Sequence, residues 1–402
     1  MTNSKKISDY NVIMINLDGL RRDKAINSDV LNSLIKDSYF FSEMNTVAPY
    51  TFASIHAIMS GMYASYNGVN GYYNMFKFKN DEITTLSEIL QKYGFFTYCD
   101  INSEAIIPKK GFDQYQVYDE EIIDFTSRHC DIIKKLSEKK FFLFLQNTET
   151  HKNYVREIIK NQNNNKINDD DYFNSKKKND LKYSSHLPKT DSYVKKIIAT
   201  LKELEIFDKT ILVIFSDHGT SLGEKIGEKF YGVFLYDYTL NVFSIIRVPH
   251  ISPKTIDKQC RTIDLFPSIL ELSNIPESEY SAKHGESLVS LISENNPKNR
   301  EVFAETGGLY GPWPSPEKHN IFCIKYDQKK IIYNDTSEQW EFYDLKNDPD
   351  EISNIYDTID SNTKSQYKKR LIFYLEKNNI DTKISKISFK SLIFLYIMSP
   401  IF

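Results

Sequence analysis

One stretch near the middle of the chain constrains the fold more than any other. Residues 211–215 are apolar and mostly β-branched, which predicts a strand buried in a parallel sheet. Asp217 and His218 follow it, just before a glycine turn. Ligands bind at the carboxyl ends of strands in open α/β sheets, and a carboxylate beside an imidazole suits a divalent metal. Alone, the stretch is also compatible with a polar turn, so its interpretation depends on partners elsewhere in the chain.

Strand-like and helix-like segments alternate along most of the chain. This alternation predicts an α/β fold, with a mainly parallel sheet and helices on both faces. After about residue 295, short strand-like runs predict a small antiparallel sheet, followed by a helix over 363–377. The main strands are predicted at 12–17, 95–100, 141–146, 211–215 and 242–248, and the main helices at 25–37, 51–59, 84–92, 121–137, 191–204 and 264–272.

These segments predict a large α/β domain over 1–295, a small C-terminal subdomain over 296–380 and a tail over 381–402. Runs of Asn, Asp and Lys between about 160 and 189 predict a solvated excursion within the first domain. The tail joins three lysines to an apolar run, 392–398, that is too short to span a bilayer. It is interpreted either as a segment docked on the core or a partner, or as a peripheral anchor on a membrane surface.

Composition excludes several classes of protein. The chain is 41% hydrophobic and 26% charged, as in soluble globular proteins, and its formal charge of −3 argues against nucleic-acid binding. Four scattered cysteines indicate free thiols in a reducing compartment. The polar N-terminus contains no signal-peptide core, so we expect a cytoplasmic protein, associated with a membrane if the tail binds one.

Four residues elsewhere in the chain are candidates to form a site together with Asp217 and His218. Asp18 ends a predicted strand, Thr51 opens a predicted helix, His151 follows a third strand, and Lys229 lies in a charged loop. Taken singly, each has an ordinary explanation: a turn or cap for Asp18, an N-cap for Thr51, and solvated loop positions for the other two. A hydroxyl at a helix N-terminus also lies beside N–H groups that hold anions, and a bound metal would make it a nucleophile.

The order of these residues, with Gly61 ten positions after Thr51, resembles the sulfatase branch of the alkaline-phosphatase superfamily. The resemblance covers about residues 10 to 350. It implies an alkaline-phosphatase-like fold, with a mainly parallel sheet flanked by helices and a small C-terminal antiparallel α+β subdomain. Later segments that resemble landmarks of the family are 235–249, 262–270, 285–288 and 342–350.

The resemblance also implies a metal site. Asp18, Thr51, Asp217 and His218 match the positions that bind the metal in the family. Such mixed ligands suit Zn²⁺, Mn²⁺, Ca²⁺ or Mg²⁺. At least one ion is expected, and a second would need further ligands, for which the candidates are His151 and His284.

The catalytic residues that the resemblance implies are Thr51, His151 and Lys229. Thr51 would attack phosphorus or sulfur, with Ser54 as the alternative nucleophile. His151 would contact the ester or protonate the leaving group. Lys229 matches the active-site lysine of the family, with Lys225 as the second choice.

Departures from the family pattern decide the expected chemistry. Sulfatases that hydrolyse sulfate esters use a Cys or Ser that becomes formylglycine, within a Cys/Ser-x-Pro-x-Arg pattern. Here Thr51 cannot be converted, and Ala53 and Ile55 stand where the pattern has Pro and Arg. The missing Arg removes an anion clamp, which His56 is a candidate to replace. A Thr nucleophile resembles the phosphodiesterases and the phosphoethanolamine or phosphoglycerol transferases of the superfamily.

We therefore expect a metal-dependent hydrolase of phosphate (or sulfate) esters that acts through a covalent intermediate on Thr51. Its substrates would be small-molecule, glycan or lipid-linked esters, selected by the loops at 62–80, 152–189 and 305–320. One alternative is a phosphotransferase that modifies glycan or lipid-linked precursors. The other is a catalytically degenerate protein that retains the fold for binding.

Overall fold

The larger of two sheets is organised around the first strand. The computed structural model describes residues 9–163, 169–294, 297–307 and 320–384. The larger sheet has the order β4-β3-β5-β1-β6-β7-β2-β8, with β9 paired to β2. Its strands are β1 (Asn11–Leu17), β2 (Tyr39–Asn45), β3 (Phe96–Ile101), β4 (Gln114–Val117), β5 (Phe141–Asn147), β6 (Thr210–Phe215), β7 (Asn241–Arg247), β8 (Lys254–Ile256) and β9 (Cys260–Arg261).

Parallel pairing places several strand ends at one edge. β1 pairs in parallel with β5 on one side and with β6 on the other. Every residue of β1, β5 and β6 is buried, which explains why these strands are almost continuously apolar in sequence. β7 runs antiparallel to both of its neighbours, β6 and β2, so the sheet is mixed.

Helices cover both faces of this sheet. The helices are α1 (Arg22–Ala25), α2 (Asp29–Ile35), α3 (Thr51–Ser60), α4 (Ala64–Asn67), α5 (Leu86–Lys92), α6 (Phe125–Leu136), α7 (Glu149–Asn163), α8 (Asp169–Phe173), α9 (Lys176–Ser184), α10 (Leu187–Glu203), α11 (Asp237–Leu240), α12 (Leu265–Leu272), α13 (Val289–Ser293) and α14 (Ser361–Lys377). Apolar side chains of α2, α6 and α10 pack on one face, and those of α3, α5 and α12 on the other.

The smaller sheet is antiparallel, in the order β10-β11-β12-β13. Tyr367, Leu371 and Leu375 of α14 pack against its apolar side chains. Its strands are β10 (Val302–Thr306), β11 (Ile321–Tyr326), β12 (Lys329–Asn334) and β13 (Gln339–Asp344). The predicted fold is thus confirmed: a mostly parallel sheet flanked by helices, with a separate small antiparallel sheet.

The segment expected to be a solvated excursion differs from the prediction. Its described part forms α8, α9 and the start of α10, and it buries Tyr172 and Tyr183. The Tyr183 hydroxyl donates to the Gly19 carbonyl at 2.7 Å, so this segment packs behind the strand end of β1. The prediction was wrong because it relied on polar composition. Isolated tyrosines among charged residues do not give the apolar periodicity by which a helix is recognised from sequence.

Two further expectations concern thiols and membranes. All four cysteines are buried and free, as predicted from their spacing. None of the helices in the described ranges is long and apolar enough to cross a bilayer. The apolar part of the tail, 392–398, lies outside the described residues, so its two interpretations stay predictions.

Candidate functional site

Strand ends bring the predicted acidic residues together. Asp18 follows β1 directly, and its backbone N–H donates to the Asn147 carbonyl at the end of β5, at 2.9 Å. Asp217 lies two residues beyond β6, and its N–H donates to Asn16 Oδ1 at 3.2 Å. Since β1 lies between β5 and β6, side chains after these strands converge on one edge of the sheet.

Asp18, Asp217 and His218 form a compact cluster. Each offers one ligand atom, and these atoms all lie within 4.8 Å of one another. His218 Nε2 is 3.6 Å from Asp18 Oδ1 and 3.7 Å from Asp217 Oδ2. His218 Nδ1 lies 2.7 Å from the Gly219 carbonyl oxygen, which can only accept, so Nδ1 holds a proton and Nε2 is the ring nitrogen that faces the cluster.

The cluster is buried and rich in negative charge. Burial, and next the nearby Asp217, raise the pKa of Asp18 well above its usual value. Asp217 Oδ1 accepts from the Gly19 N–H at 3.2 Å, whereas its buried Oδ2 has no hydrogen-bond partner among the described residues. An orphaned carboxylate oxygen beside a second carboxylate and an imidazole nitrogen fits a divalent cation.

Thr51 lies against this cluster. Tyr50 is the N-cap of α3 and Thr51 is its first helical residue, so the ordinary explanation of Thr51 as an N-cap does not hold. Its Oγ1 lies 3.1 Å from His218 Nε2 and 3.4 Å from Asp18 Oδ1. The Ser54 hydroxyl instead donates to the Asp217 backbone carbonyl at 2.8 Å, so it anchors a cluster residue from the next turn of the helix.

A cavity of about 280 Å³ opens in front of Thr51 and Asp18. His151 lines it, and its ring centroid is 5.7 Å from that of His218. Burial lowers the pKa of His151 to about 3, so the ring is neutral at neutral pH. Gly19 lies behind it with φ of +61°, and a Cβ there would be 2.6 Å from His151 Nδ1. Only glycine leaves room for the imidazole.

Other predicted residues lie elsewhere. Lys229 is not among the described residues that line the cavity; its backbone carbonyl accepts from the Tyr172 hydroxyl, and its catalytic role stays a prediction. The Lys225 ammonium bonds the Glu351 carbonyl and lies 4.4 Å from the Tyr236 ring centroid, so it points toward the C-terminal segment.

The two additional histidines are also held away from the cluster. His56 Nδ1 lies 2.8 Å from the Phe52 carbonyl oxygen within its own helix, and burial lowers its pKa to about 4. A neutral His56 in this position does not replace a cationic clamp. His284 Nε2 lies 2.8 Å from Asn378 Oδ1. Across the four described ranges, the cluster at Asp18 is the one group of three or more such ligands that could hold a metal.

Several residues in the cavity were missed from sequence. Gln146 donates from Nε2 to Asp18 Oδ2 at 2.8 Å, and Tyr72 and Tyr231 share a side-chain hydrogen bond. Tyrosines in loops and a glutamine in a strand have no distinctive pattern. Lys152 and Arg156 could have been predicted from the sequence, because a helix beginning near His151 places residues four positions apart on the same face. The full lining is Asp18, Thr51, Phe52, Tyr72, Asn102, Ser103, Ile106, Glu120, Gln146, Thr148, His151, Lys152, Val155, Arg156 and Tyr231.

Comparison with known proteins gives one family over most of the chain. The family model described as Sulfatase matches residues 11–275, and the model described as N-sulphoglucosamine sulphohydrolase, C-terminal, matches residues 227–377. Arylsulfatase K of Bos taurus is 30% identical over 182 residues, which cover 43% of this chain and 32% of the relative. The match thus extends over about a third of that relative's length.

Solved structures show the same fold at low identity. A structure in complex with its substrate D-glucosamine-2-N,6-O-disulfate has a TM-score of 0.73 at 16% identity, covering 93% of this chain and 98% of that chain. The phosphonate monoester hydrolase of Agrobacterium radiobacter has a TM-score of 0.72 at 14% identity, covering 92% and 96%. The two neighbours are named for sulfur and for phosphorus chemistry respectively.

Proposed function

Because the chain belongs to the sulfatase family, we propose that it is a metal-dependent hydrolase of phosphate or sulfate esters with Thr51 as its nucleophile. The position of the Thr51 hydroxyl supports this proposal best. Its Oγ1 lies 3.1 Å from His218 Nε2 and 3.4 Å from Asp18 Oδ1, at the floor of a cavity of about 280 Å³. Since Thr cannot become formylglycine, we favour phosphate esters.

Asp18, Asp217 and His218 would hold the cation, with Thr51 beside it. A cation bound there supplies Lewis-acid chemistry, by lowering the pKa of a hydroxyl and withdrawing charge from the ester oxygens. The residues favour a cation because burial, and next the charge of Asp217, raise the pKa of Asp18, and a bound cation would offset both effects. Gln146 orients one Asp18 oxygen and leaves the other facing Thr51.

The proposed reaction has two balanced steps. The Thr51 oxygen attacks phosphorus, an O–P bond forms, and the bond to the leaving alcohol breaks. The Thr51 proton passes, in net terms, to that alcohol. Water then attacks phosphorus, the O–P bond to Thr51 breaks, and Thr51 regains a proton. His151 is the candidate to relay these protons, because its ring lines the cavity and, being neutral, can accept the Thr51 proton before passing one to the leaving alcohol. Lys229 is the alternative.

Neutral hydrogen-bond donors would take the place of the family's anion-binding Arg, whose position Ile55 occupies. The Tyr231 ring centroid lies 4.8 Å from that of His218, and its hydroxyl shares a hydrogen bond with Tyr72. Burial raises the pKa of Tyr72 to about 12 and that of Tyr231 well above its usual value. Both hydroxyls therefore stay protonated at neutral pH. Since one of them donates to the other, the pair has one O–H left for an ester oxygen in the cavity.

Thr51→Ala tests the nucleophile. The panel would contain a phosphomonoester, a phosphodiester, a phosphonate and a sulfate ester. On the preferred ester, kcat is expected to fall by about 10³-fold or more, while Thr51→Ser keeps a hydroxyl and measurable turnover. Ser60→Ala is the matched control, because that hydroxyl bonds the His56 carbonyl within α3 at 2.7 Å. Full activity of Thr51→Ala, or phosphate trapped on Ser54, would show that the assignment is wrong.

The same panel of esters, with the phosphoryl group radiolabelled, separates the two alternatives. Transfer of the label to a sugar or lipid acceptor, with little release to water, would identify a phosphotransferase. The loss of the family's Arg at Ile55 motivates the other alternative, a degenerate binding protein. Protein that turns over no member of the panel and binds no cation would favour that interpretation.

A further inference from the structure

The cavity continues beyond Thr51 along one face of α7. His151, Lys152, Val155 and Arg156 all line it, as expected for helix positions three to four residues apart. At 1.5 Å per residue, Arg156 lies about 7 Å further along the helix than His151. The cavity therefore has a reacting end at Thr51 and a second end with two basic side chains.

Both cations contact Glu120, and Arg156 has a second acidic partner. The Lys152 ammonium donates to the Glu120 backbone carbonyl, a neutral group. Arg156 Nη2 lies 3.5 Å from Glu120 Oε1 and also pairs with Glu121. The Glu120 carboxylate is fixed in turn, since its Oε2 accepts from Asn102 Nδ2 at 3.0 Å and from Thr148 Oγ1 at 2.7 Å.

The cations at this end of the cavity have N–H donors to spare for an anion. Among the described lining residues, Lys152 and Arg156 contribute two positive charges there and Glu120 one negative charge. Glu121, which also pairs with Arg156, is not among the lining residues. A Lys has three N–H donors and an Arg five, so both side chains can bind a ligand while keeping their present contacts. The Arg156 side chain is 40% exposed, and a ligand can reach it from solvent.

We propose that Lys152 and Arg156 form a subsite for a second oxyanion on the leaving alcohol of the substrate. The substrate class is an ester of an acidic alcohol, in which a carboxylate, sulfate or phosphate lies about one helical turn from the reacting group. This inference rests on the proposed ester hydrolysis for its orientation, because Thr51 defines which end of the cavity reacts. Binding at the subsite does not itself require turnover.

The kinetic test compares two matched esters. Wild-type protein is expected to prefer a 3-carboxyphenyl ester to the corresponding phenyl ester in kcat/KM. Lys152→Gln and Arg156→Gln should each reduce this preference roughly ten-fold, because each removes a charge-assisted hydrogen bond. Lys152→Arg should restore most of it. Lys160→Gln is the matched control, since it removes the same charge from an exposed position on the same helix.

A binding experiment separates failure of the subsite from failure of the proposed function. Calorimetry with Thr51→Ala would compare phenylphosphonate, 3-carboxyphenylphosphonate and 3-sulfophenylphosphonate, which distinguishes a carboxylate from a sulfate ligand. Tighter binding of an acidic probe, lost on Arg156→Gln, supports the subsite even if no ester is hydrolysed. Equal binding of all three probes, or equal losses in the Lys160→Gln control, would overturn it.

Discussion

The buried carboxylates predict opposite effects of one substitution with and without a divalent cation. Asp217→Asn keeps an oxygen for the Gly19 N–H and places an NH₂ where Asp217 Oδ2 now has no partner among the described residues. That amide carries no charge, so it removes the repulsion with Asp18, whose ligand atom lies within 4.8 Å of that of Asp217. The variant should therefore stabilise the cation-free protein while abolishing the stabilisation that a cation provides.

The repulsion between the two carboxylates and the stabilisation by a bound cation are of similar size. Two charges 4.8 Å apart repel by about 3.5 kcal/mol at an effective dielectric constant of 20. This is an upper limit, because protonation of Asp18 relieves part of the repulsion. A cation at 100 times its Kd stabilises the folded state by about 2.7 kcal/mol. For 402 residues, an unfolding entropy of about 2.1 cal/mol/K per residue converts this to a Tm shift of about 3 °C.

Thermal unfolding of chelator-treated protein measures both effects. Zn²⁺, Mn²⁺, Ca²⁺ and Mg²⁺ would be added singly to wild type, to Asp217→Asn and to the control Asp131→Asn, which changes an exposed carboxylate on α6. We expect cation-free Asp217→Asn to melt above cation-free wild type, by up to about 4 °C. Added cation should raise the Tm of wild type and control only. An equal cation response in Asp217→Asn would refute the ligand assignment, and a lower cation-free Tm would refute the charge argument.

Two further predictions concern other groups. Burial raises the pKa of Glu305 from its usual 4.5 to about 7, so the folded protein binds the extra proton and the free energy of unfolding decreases as pH rises between these values. In Glu305→Gln, the free energy of unfolding should fall less between pH 5 and pH 8 than in wild type, by up to about 3 kcal/mol. An unchanged pH dependence of unfolding would contradict this prediction. Tyr231→Phe removes the hydroxyl and should lower kcat/KM about ten-fold. It keeps the ring contacts with His218 and His151, so Tm should change little. Unchanged kinetics would exclude the hydroxyl as a donor.

The sheet and the cluster of Asp18, Asp217 and His218 were predictable from sequence for a common reason. β1, β5 and β6 are buried on both faces, so their residues form unbroken apolar runs that are visible without a structure. A polar residue that ends such a run lies at the carboxyl edge by necessity, which is how Asp18 and Asp217 were identified. The direction of β7 was not predictable, because an apolar run has the same pattern whether a strand is parallel or antiparallel.

The substrate-facing residues were harder to predict because loops and helix faces position them. Tyr72 and Tyr231 come from segments without periodicity, and they meet only through the folded chain. The described parts of the loop expected at 152–189 form mainly helices, of which the first is α7 (Glu149–Asn163). This helix places Lys152 and Arg156 on the cavity wall. The predicted loop at 305–320 lies largely outside the described residues.

The cluster of Asp18, Asp217 and His218 and the basic end of the cavity are held in place by different elements of the fold. Asp18 is held by the ladder that β1 makes with both of its neighbours, whereas Lys152 and Arg156 depend on α7 and its contacts with Glu120. Substitutions on α7 should therefore change substrate preference without changing the Tm response to a cation. The two parts meet at Gly19, where a Cβ would lie 2.6 Å from His151 Nδ1. A side chain there would displace α7 and the strand end together, which explains why glycine occupies the position between them.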